Sequence, residues 1–510
     1  MTARENTETT ATVWSLDART GTRREQVTIE ADADAVNTAV RAAHATLPSL
    51  ADRERRAEFL RAAADELDTR QQELTAVGDA ETALGIPRMT SEIARASGQL
   101  RMFAEIVTAG DFLDVIIDHA DPGSVPPRPD LRRYRVPIGV VAVYAASNFP
   151  FAFSVAGGDT ASALAAGCPV VVKAHPDHPA TSEATARALQ DAAQRSGLPP
   201  DVVRVVHGFD AGVALVRHPL VAAAGFTGSV RGGRALFDAA AARPVPIPFH
   251  GELGSLNPVV VTSAAAAQRA EEIGTGLAGS MTLGNGQFCV KPGLIFLPSG
   301  ADGDHVLTTL VETIAGTEPG FMLDDRIREN FIRGVAARGA LPGVETVVTA
   351  IHEHRRAGAA VLTAPVTALA EHDVLLEECF GPVTVVARYD SIEDLDPAMG
   401  LLPGSLSATV HIGDTDSTDH TTHALLTRLS ASAGRLVVNQ WPTGVAVAAA
   451  QHHGGPYPAS TSTSTSVGAT AVERWLRPVA YQNTPDPLLP PELREQNPLQ
   501  VPRIVDRFAT

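Results

Sequence analysis

The chain is poor in cysteine, in aromatic side chains and in long apolar runs, and it has no surplus of positive charge. Three cysteines (Cys168, Cys289 and Cys379) in 510 residues are too few and too scattered for a disulfide framework or a zinc site, so no metal is implied. They point to a reducing, cytoplasmic setting in which a reactive thiol stays available. No stretch approaches the roughly 20 apolar residues of a membrane span. Met1 to Thr10 is polar, with no apolar centre, and so does not read as a secretory signal. A formal net charge of −17 leaves no basic face for a nucleic acid, which binds by displacing counterions. The same charge disfavours an anionic membrane, and an anionic substrate would need a local cationic site. Aromatics make up only 5% of the chain, so the core is expected to be built from small, close-packing side chains. There are no internal repeats.

What is present reads as a soluble α/β enzyme. A content of 44% hydrophobic and 19% charged residues is ordinary for a globular protein, and the length predicts two or three domains. The first 120 residues read as helical. Val36, Ala39, Val40 and Ala43 recur at helical spacing, as do Leu60, Ala63, Ala64 and Leu67. The proline-rich segment Asp121 to Pro129 breaks that pattern. From Arg135 onward, uniformly apolar strands alternate with helices. Strands are predicted at Val140 to Tyr144, Val170 to Lys173, Val202 to Val206 and Ala222 to Phe226, with helices over Thr181 to Arg195 and from about Val230. A second alternating block includes Asn257 to Thr262, Ala265 to Leu277 (a helix), Leu294 to Leu297, Val383 to Ala387 and Leu436 to Val438. Apolar strands separated by helices imply parallel sheets covered on both faces, with ligands at the carboxyl ends of the strands. The Ser460 to Ser466 run of serine and threonine reads as a surface loop. The proline-rich tail from Thr484 is expected to lie against the body or a partner subunit.

Three residue types combine into acyl chemistry. Cys289 sits in Gly286-Gln287-Phe288-Cys289, a thiol on a glycine-flanked turn where backbone and substrate can approach closely. Cys168 enters an apolar strand and reads as core, while Cys379 follows two glutamates that disfavour its thiolate. Glu252, in Glu252-Leu253-Gly254 at the junction of the two blocks, is either a solvated loop carboxylate or a general base. The base role calls for burial that lifts its pKa from about 4.3 toward neutrality. Asn148, in Ala146-Ser147-Asn148-Phe149-Pro150 after a strand, is either a turn asparagine or an amide donor for an oxyanion. Lys173 ends a buried strand and needs an anionic partner or a route to solvent. Phe226-Thr227-Gly228-Ser229, with Gly232 and Gly233 behind it, opens a helix whose free N–H groups suit a pyrophosphate. The GxGxxG fingerprint is absent after the strand at Val140.

Taken in order, these motifs resemble the aldehyde dehydrogenase superfamily over nearly the whole chain. Glu377-Glu378-Cys379-Phe380-Gly381-Pro382 is similar to that family's acidic, aromatic cofactor motif. The resemblance implies a fold of two Rossmann-like parallel-sheet domains plus a small oligomerisation element. It places a cofactor domain at 1–250 (with part of the oligomerisation element near 120–136), a catalytic domain at 251–475 and an oligomerisation tail at 476–510. It implies Cys289 as nucleophile, Glu252 as base and Asn148 as oxyanion donor. It assigns NAD or NADP to Lys173, His175, Gly228, Ser229, Gly233, Leu253, Glu378 and Phe380. Pro176 stands where many members carry the carboxylate that binds the adenosine ribose, which leans the choice toward NADP, although Gly208-Phe209-Asp210 offers no arginine for the phosphate. Gly454 to Ser460 and Leu476 to Asn483 resemble the branch of α-ketoglutaric semialdehyde (2,5-dioxopentanoate) dehydrogenases, which also holds NADP-dependent long-chain aldehyde dehydrogenases. The implied partners are a small aldehyde and further copies of the chain, as a homodimer or homotetramer. Long-chain or aromatic aldehydes, or a non-catalytic binding role on the same scaffold, are the alternatives.

Overall fold

The computed structural model describes residues 11–507, and the polar segment Met1 to Thr10 lies outside them. Two parallel sheets organise the molecule. The first has five strands in the order Val203–Val206, Val170–Lys173, Val140–Tyr144, Val221–Thr227 and Phe249–Glu252. The second has seven, in the order Glu345–Val348, Ala360–Pro365, Val383–Tyr389, Leu294–Pro298, Val259–Val261, Ala408–His411 and Leu436–Val438. Every pairing in the second sheet is parallel except that of the edge strand Glu345–Val348. The central strands Val140–Tyr144 and Leu294–Pro298 are buried at every position. Both faces are covered by helices, which is why these strands read as unbroken apolar runs.

The helical register expected near the N-terminus holds. Val36, Ala39, Val40 and Ala43 are buried in the helix Ala33–Ala45, and Leu60, Ala63, Ala64 and Leu67 in the helix Arg53–Thr69. Asp32 and Asp52 cap these two helices by accepting from the Ala35 and Arg55 N–H groups. The N-terminal region is not wholly helical, however. Thr12–Leu16 pairs antiparallel with Arg23–Ile29, and Val115–Asp118 is a further strand. The hairpin escaped notice because Arg23–Ile29 is polar and mostly exposed, so it lacks the apolar alternation that marks a half-buried strand.

A four-stranded sheet joins Leu476–Gln482, Leu131–Pro137, Val115–Asp118 and Arg503–Val505. The tail therefore packs on the body, with Leu489, Leu493 and Val501 in the main core cluster. The strand Phe249–Glu252 straddles residue 250 and carries the chain from the first sheet toward the second. Among the described residues, no helix is long and apolar enough to cross a membrane.

Candidate active site

The turn that presents Cys289 is held from three sides. Gly284, Asn285 and Gly286 all have positive φ. A Cβ on Gly286 would lie 2.3 Å from the Gly381 carbonyl carbon and the Pro382 nitrogen, so the nucleophile turn meets the Glu377–Pro382 segment backbone to backbone, and residue 286 must be glycine. The Gln287 side chain is buried; its amide donates to the Gly284 and Phe321 carbonyls, and its oxygen accepts from the Leu323 N–H at 2.9 Å. The buried Asn257 amide donates to the Cys289 carbonyl at 2.8 Å and the Lys291 carbonyl at 3.1 Å. The backbone around the thiol is thus fixed by groups other than the thiol.

Asn148 joins this turn from the end of the strand Val140–Tyr144. Its amide donates to the Gln287 carbonyl at 2.9 Å, two residues before Cys289, and Phe149 stacks edge-on against Phe288 with centroids 5.2 Å apart. The Arg88 guanidinium lies 4.5 Å from both ring centroids and donates to the Asn148 carbonyl. His178 is fully buried, and burial pushes its pKa down to about 4. It is therefore neutral, and its Nε2–H donates to the Ala146 carbonyl at 2.8 Å. One amide proton of Asn148 remains for another acceptor. Among the described residues the Cys289 N–H makes no hydrogen bond.

Glu252 is not a solvated loop carboxylate. It ends the strand Phe249–Glu252, paired in register with Thr227, and is 4% exposed. One oxygen is 3.0 Å from His453 Nε2, and the other accepts from the Ser466 hydroxyl at 2.6 Å. His453 Nε2 also lies 3.5 Å from the Cys289 sulfur. The three ligand-type atoms of Glu252, Cys289 and His453 fall within 4.8 Å of one another. His453 was missed in the sequence. It stands 201 residues from Glu252, in a Gln-His-His run with no spacing signal.

The Ser460 to Ser466 run is corrected by the same contacts. Ser460, Thr465 and Ser466 are buried, and Thr461 accepts from the Gly251 N–H at 2.8 Å. The hydroxyls pair with one another and with His250, His453 and Glu252. Both ends of a run that looks solvated in sequence are buried because their polar groups find partners inside, while Thr463 stays exposed.

The pKa direction expected of Glu252 reverses. Burial pushes Glu252 up, but the His453 charge, with hydrogen bonds from His453, Ser466 and Cys289, outweighs it and holds the carboxyl below its ordinary range. Burial, then the Glu252 carboxylate and Glu378, push the Cys289 thiol well above its ordinary value, against the pull of Arg95. The resting group is a thiol, although Cys289 itself remains partly accessible.

Six of the expected cofactor residues (Lys173, His175, Gly228, Ser229, Gly233 and Leu253) follow or end strands of the first sheet, while Glu378 and Phe380 precede a strand of the second. The helix Val230–Ala241 starts at Ser229, whose side chain accepts from the Gly232 N–H at 3.2 Å. The remaining first-turn N–H groups have no partner within the helix. Leu253 packs over Gly233, where a Cβ would come within 2.1 Å of it. Gly228 lies under the Phe226 ring. Glu378 reaches to 2.6 Å of where a Gly254 Cβ would stand, and burial, opposed by Lys291, lifts its carboxyl to about 7. Phe380 packs against the core of the second sheet. His175 turns to Asp177 and stacks on His178 with centroids 5.7 Å apart. The chain has only two lysines, and both lie here. Lys291 donates to the Cys379 and Val383 carbonyls. Lys173 is half-buried, and among the described residues its ammonium makes no hydrogen bond or ion pair; burial lowers its pKa against the pull of Asp177 and Glu30. An unpaired ammonium, an open helix start and a carboxylate held over a glycine fit the phosphates and ribose hydroxyls of a dinucleotide.

The profile of the aldehyde dehydrogenase family matches residues 6–478. The chain is 45% identical over 457 residues to alpha-ketoglutaric semialdehyde dehydrogenase 2 of Azospirillum brasilense, covering 88% of this chain and 87% of that one. It is 42% identical over 470 residues to alpha-ketoglutaric semialdehyde dehydrogenase of Acinetobacter baylyi, covering 90% and 88%. Its fold superposes on gamma-glutamyl-gamma-aminobutyraldehyde dehydrogenase of Burkholderia cenocepacia with a TM-score of 0.77 at 22% identity, covering 92% of each chain. Since the family match runs from the N-terminal hairpin through both parallel sheets, the chain belongs to the aldehyde dehydrogenase family, whose members are oxidoreductases that oxidise aldehydes with NAD(P).

Proposed function

We propose that this enzyme oxidises α-ketoglutaric semialdehyde (2,5-dioxopentanoate) to 2-oxoglutarate through a thioester on Cys289. The chemistry rests on the convergence of the Cys289 thiol, the His453 ring and the Glu252 carboxylate beside the Asn148 turn. The substrate rests on the names of the two relatives, each matched over most of its length.

Cys289 adds to the aldehyde carbonyl as its proton passes to Glu252, which already accepts a hydrogen bond from the thiol. The Asn148 amide and the Cys289 N–H meet the oxygen that becomes negative. When bound, the dinucleotide supplies the two-electron acceptor, held by Lys173, the helix start at Ser229, Leu253 and Glu378. Oxidation of the Cys289 adduct leaves a thioester. Glu252 then takes a proton from water, which attacks the thioester and frees the acid. The five-stranded sheet would carry the cofactor and the seven-stranded sheet the nucleophile.

For the cofactor the proposal favours NADP. Pro176 leaves no carboxylate beside Lys173 on its own strand, and that ammonium has no anionic partner at hydrogen-bonding distance. Asp177, and Glu30 packed against Gly208, are the nearby carboxylates that would act against a 2′-phosphate. One experiment tests substrate and cofactor together: kcat/KM for 2,5-dioxopentanoate, pentanal, a long-chain aldehyde and benzaldehyde, each with NADP and with NAD. The dicarbonyl acid with NADP is expected to lead. A larger kcat/KM for an uncharged aldehyde would refute the substrate, and faster turnover with NAD would refute the cofactor.

A homodimer or homotetramer is proposed from the open edge strand Leu436–Val438, whose Leu436 and Val438 are exposed, and from Val125, which stands 99% exposed. Sedimentation is expected to give a small multiple of 53.3 kDa; a single-chain mass would end that proposal.

A further inference from the structure

Two arginines hold a turn that packs beside Cys289. Arg95 comes from the long helix Ile86–Ala109, and Arg435 stands just before the edge strand Leu436–Val438. They grip one turn. Arg95 donates to the Val445 carbonyl, while Arg435 donates to the Gly444 carbonyl at 3.3 Å and the Pro442 carbonyl at 2.5 Å. The Val445 side chain belongs to a small apolar cluster that includes Val290 and Leu406, with Cys289 and Phe153 packed against it. Arg95 also lies over the Phe153 ring, 5.9 Å from its centroid.

Neither charge has a counter-ion at contact distance, although the Glu92 and Glu252 carboxylates act on Arg95 from farther off. Among the described residues neither makes an ion pair, and the buried Nε of each lacks any hydrogen-bond partner. Arg88, two helical turns before Arg95, is paired with Glu92 at 2.7 Å. In a chain with 58 acidic residues against 41 basic ones, a counter-ion was available in composition, yet none pairs with either guanidinium at contact distance. Other buried arginines here, such as Arg243 and Arg338, also donate only to carbonyls, so carbonyl contacts alone would mean only structural support. What separates Arg95 and Arg435 is their position. Each is electrostatically coupled to Cys289, and each keeps N–H donors in reserve beside the nucleophile. A half-buried guanidinium with unfilled donors is costly until an anion arrives, and a carboxylate matches its fork.

We infer that Arg95 and Arg435 bind the carboxylate end of the substrate and set a preference for anionic aldehydes. This rests on the substrate proposed above, and it supplies the local cationic site that a chain of net charge −17 needs. Lost guanidinium–carboxylate bonds translate into a fall of about 10- to 100-fold.

The test is the ratio of kcat/KM for 2,5-dioxopentanoate to that for pentanal, in wild type, Arg95→Met, Arg435→Met and Arg95→Lys. The ratio is expected to drop about 10- to 100-fold in the methionine variants, with Arg95→Lys in between. Phenylglyoxal labelling of the wild type adds a readout that survives any folding failure of the variants. Peptide mapping is expected to show 2-oxoglutarate shielding Arg95 and Arg435. A wild type without preference for the charged aldehyde overturns the substrate proposal itself. A wild type that keeps the preference overturns the arginine assignment alone if the variants lose both aldehydes equally, or if 2-oxoglutarate leaves both arginines open to labelling.

Discussion

Cys289→Ala is expected to lower kcat/KM by roughly a thousandfold or more while leaving dinucleotide binding, followed by fluorescence titration, close to that of the wild type. The scale is what removal of a covalent nucleophile costs elsewhere. The split between chemistry and binding follows from what holds the turn. Asn257 grips the Cys289 carbonyl, not its side chain. Gln287 is anchored to Gly284, Phe321 and Leu323, and Gly286 is wedged against Gly381 and Pro382. Truncating the sulfur leaves all of these contacts in place. Lys173, Ser229 and Leu253 are supported from the first sheet, so the cofactor side has no stake in the thiol. Wild-type labelling by iodoacetamide should be slow at neutral pH and climb past pH 9, because burial and the carboxylates of Glu252 and Glu378 favour the protonated thiol. Cysteine-dependent turnover that persisted in the alanine variant, with no other thiol labelled, would falsify the nucleophile assignment.

The fold was legible where local chemistry and tertiary environment agree. Val140–Tyr144 and Val170–Lys173 lie within apolar runs because both faces of the sheet are covered, and those runs also locate Lys173 at one strand end and Asn148 just beyond the other. The short motifs were legible because each is a turn whose glycines meet a local backbone demand, as Gly286 does. What stayed hidden depends on pairing between distant segments. His453 and Ser466 reach Glu252 across more than 200 residues, and nothing in a Gln-His-His run or a serine-threonine run announces such a partner. Composition suggested solvent for residues 460–466; satisfaction of the hydroxyls by His250, His453 and Glu252 permits burial instead. The pKa directions were hidden for the same reason. Burial alone predicts a raised glutamate, and only the placement of His453 shows that the histidine charge overrides it.

That placement shapes the second large effect. Glu252→Gln is expected to lower the steady-state rate by about 10² to 10⁴, the usual contribution of a general base, while a rapid burst of about one reduced cofactor per active site survives. The burst persists because loss of the Glu252 carboxylate leaves the Cys289 thiol easier to ionise; hydrolysis depends on the carboxylate. In the resting enzyme Glu252 is ionised to well below neutral pH, since its carboxyl is held under the ordinary range. A depressed carboxylate is a weak base, but one of the bonds that depresses it comes from the Cys289 thiol. Acylation removes that thiol proton, so the carboxylate becomes more basic at the stage that needs it. The same electrostatics work in reverse on the sulfur. Without the Glu252 charge the thiol loses its largest electrostatic restraint after burial, and iodoacetamide should label Glu252→Gln faster than wild type at pH 7. Slower turnover with faster alkylation is a pair of opposite signs. Simple disorder of the site cannot produce it, because loosening the turn would also weaken the burst. An unchanged steady state would mean that Glu252 serves only to anchor His453 and Ser466, and that hydrolysis draws its base from the histidine.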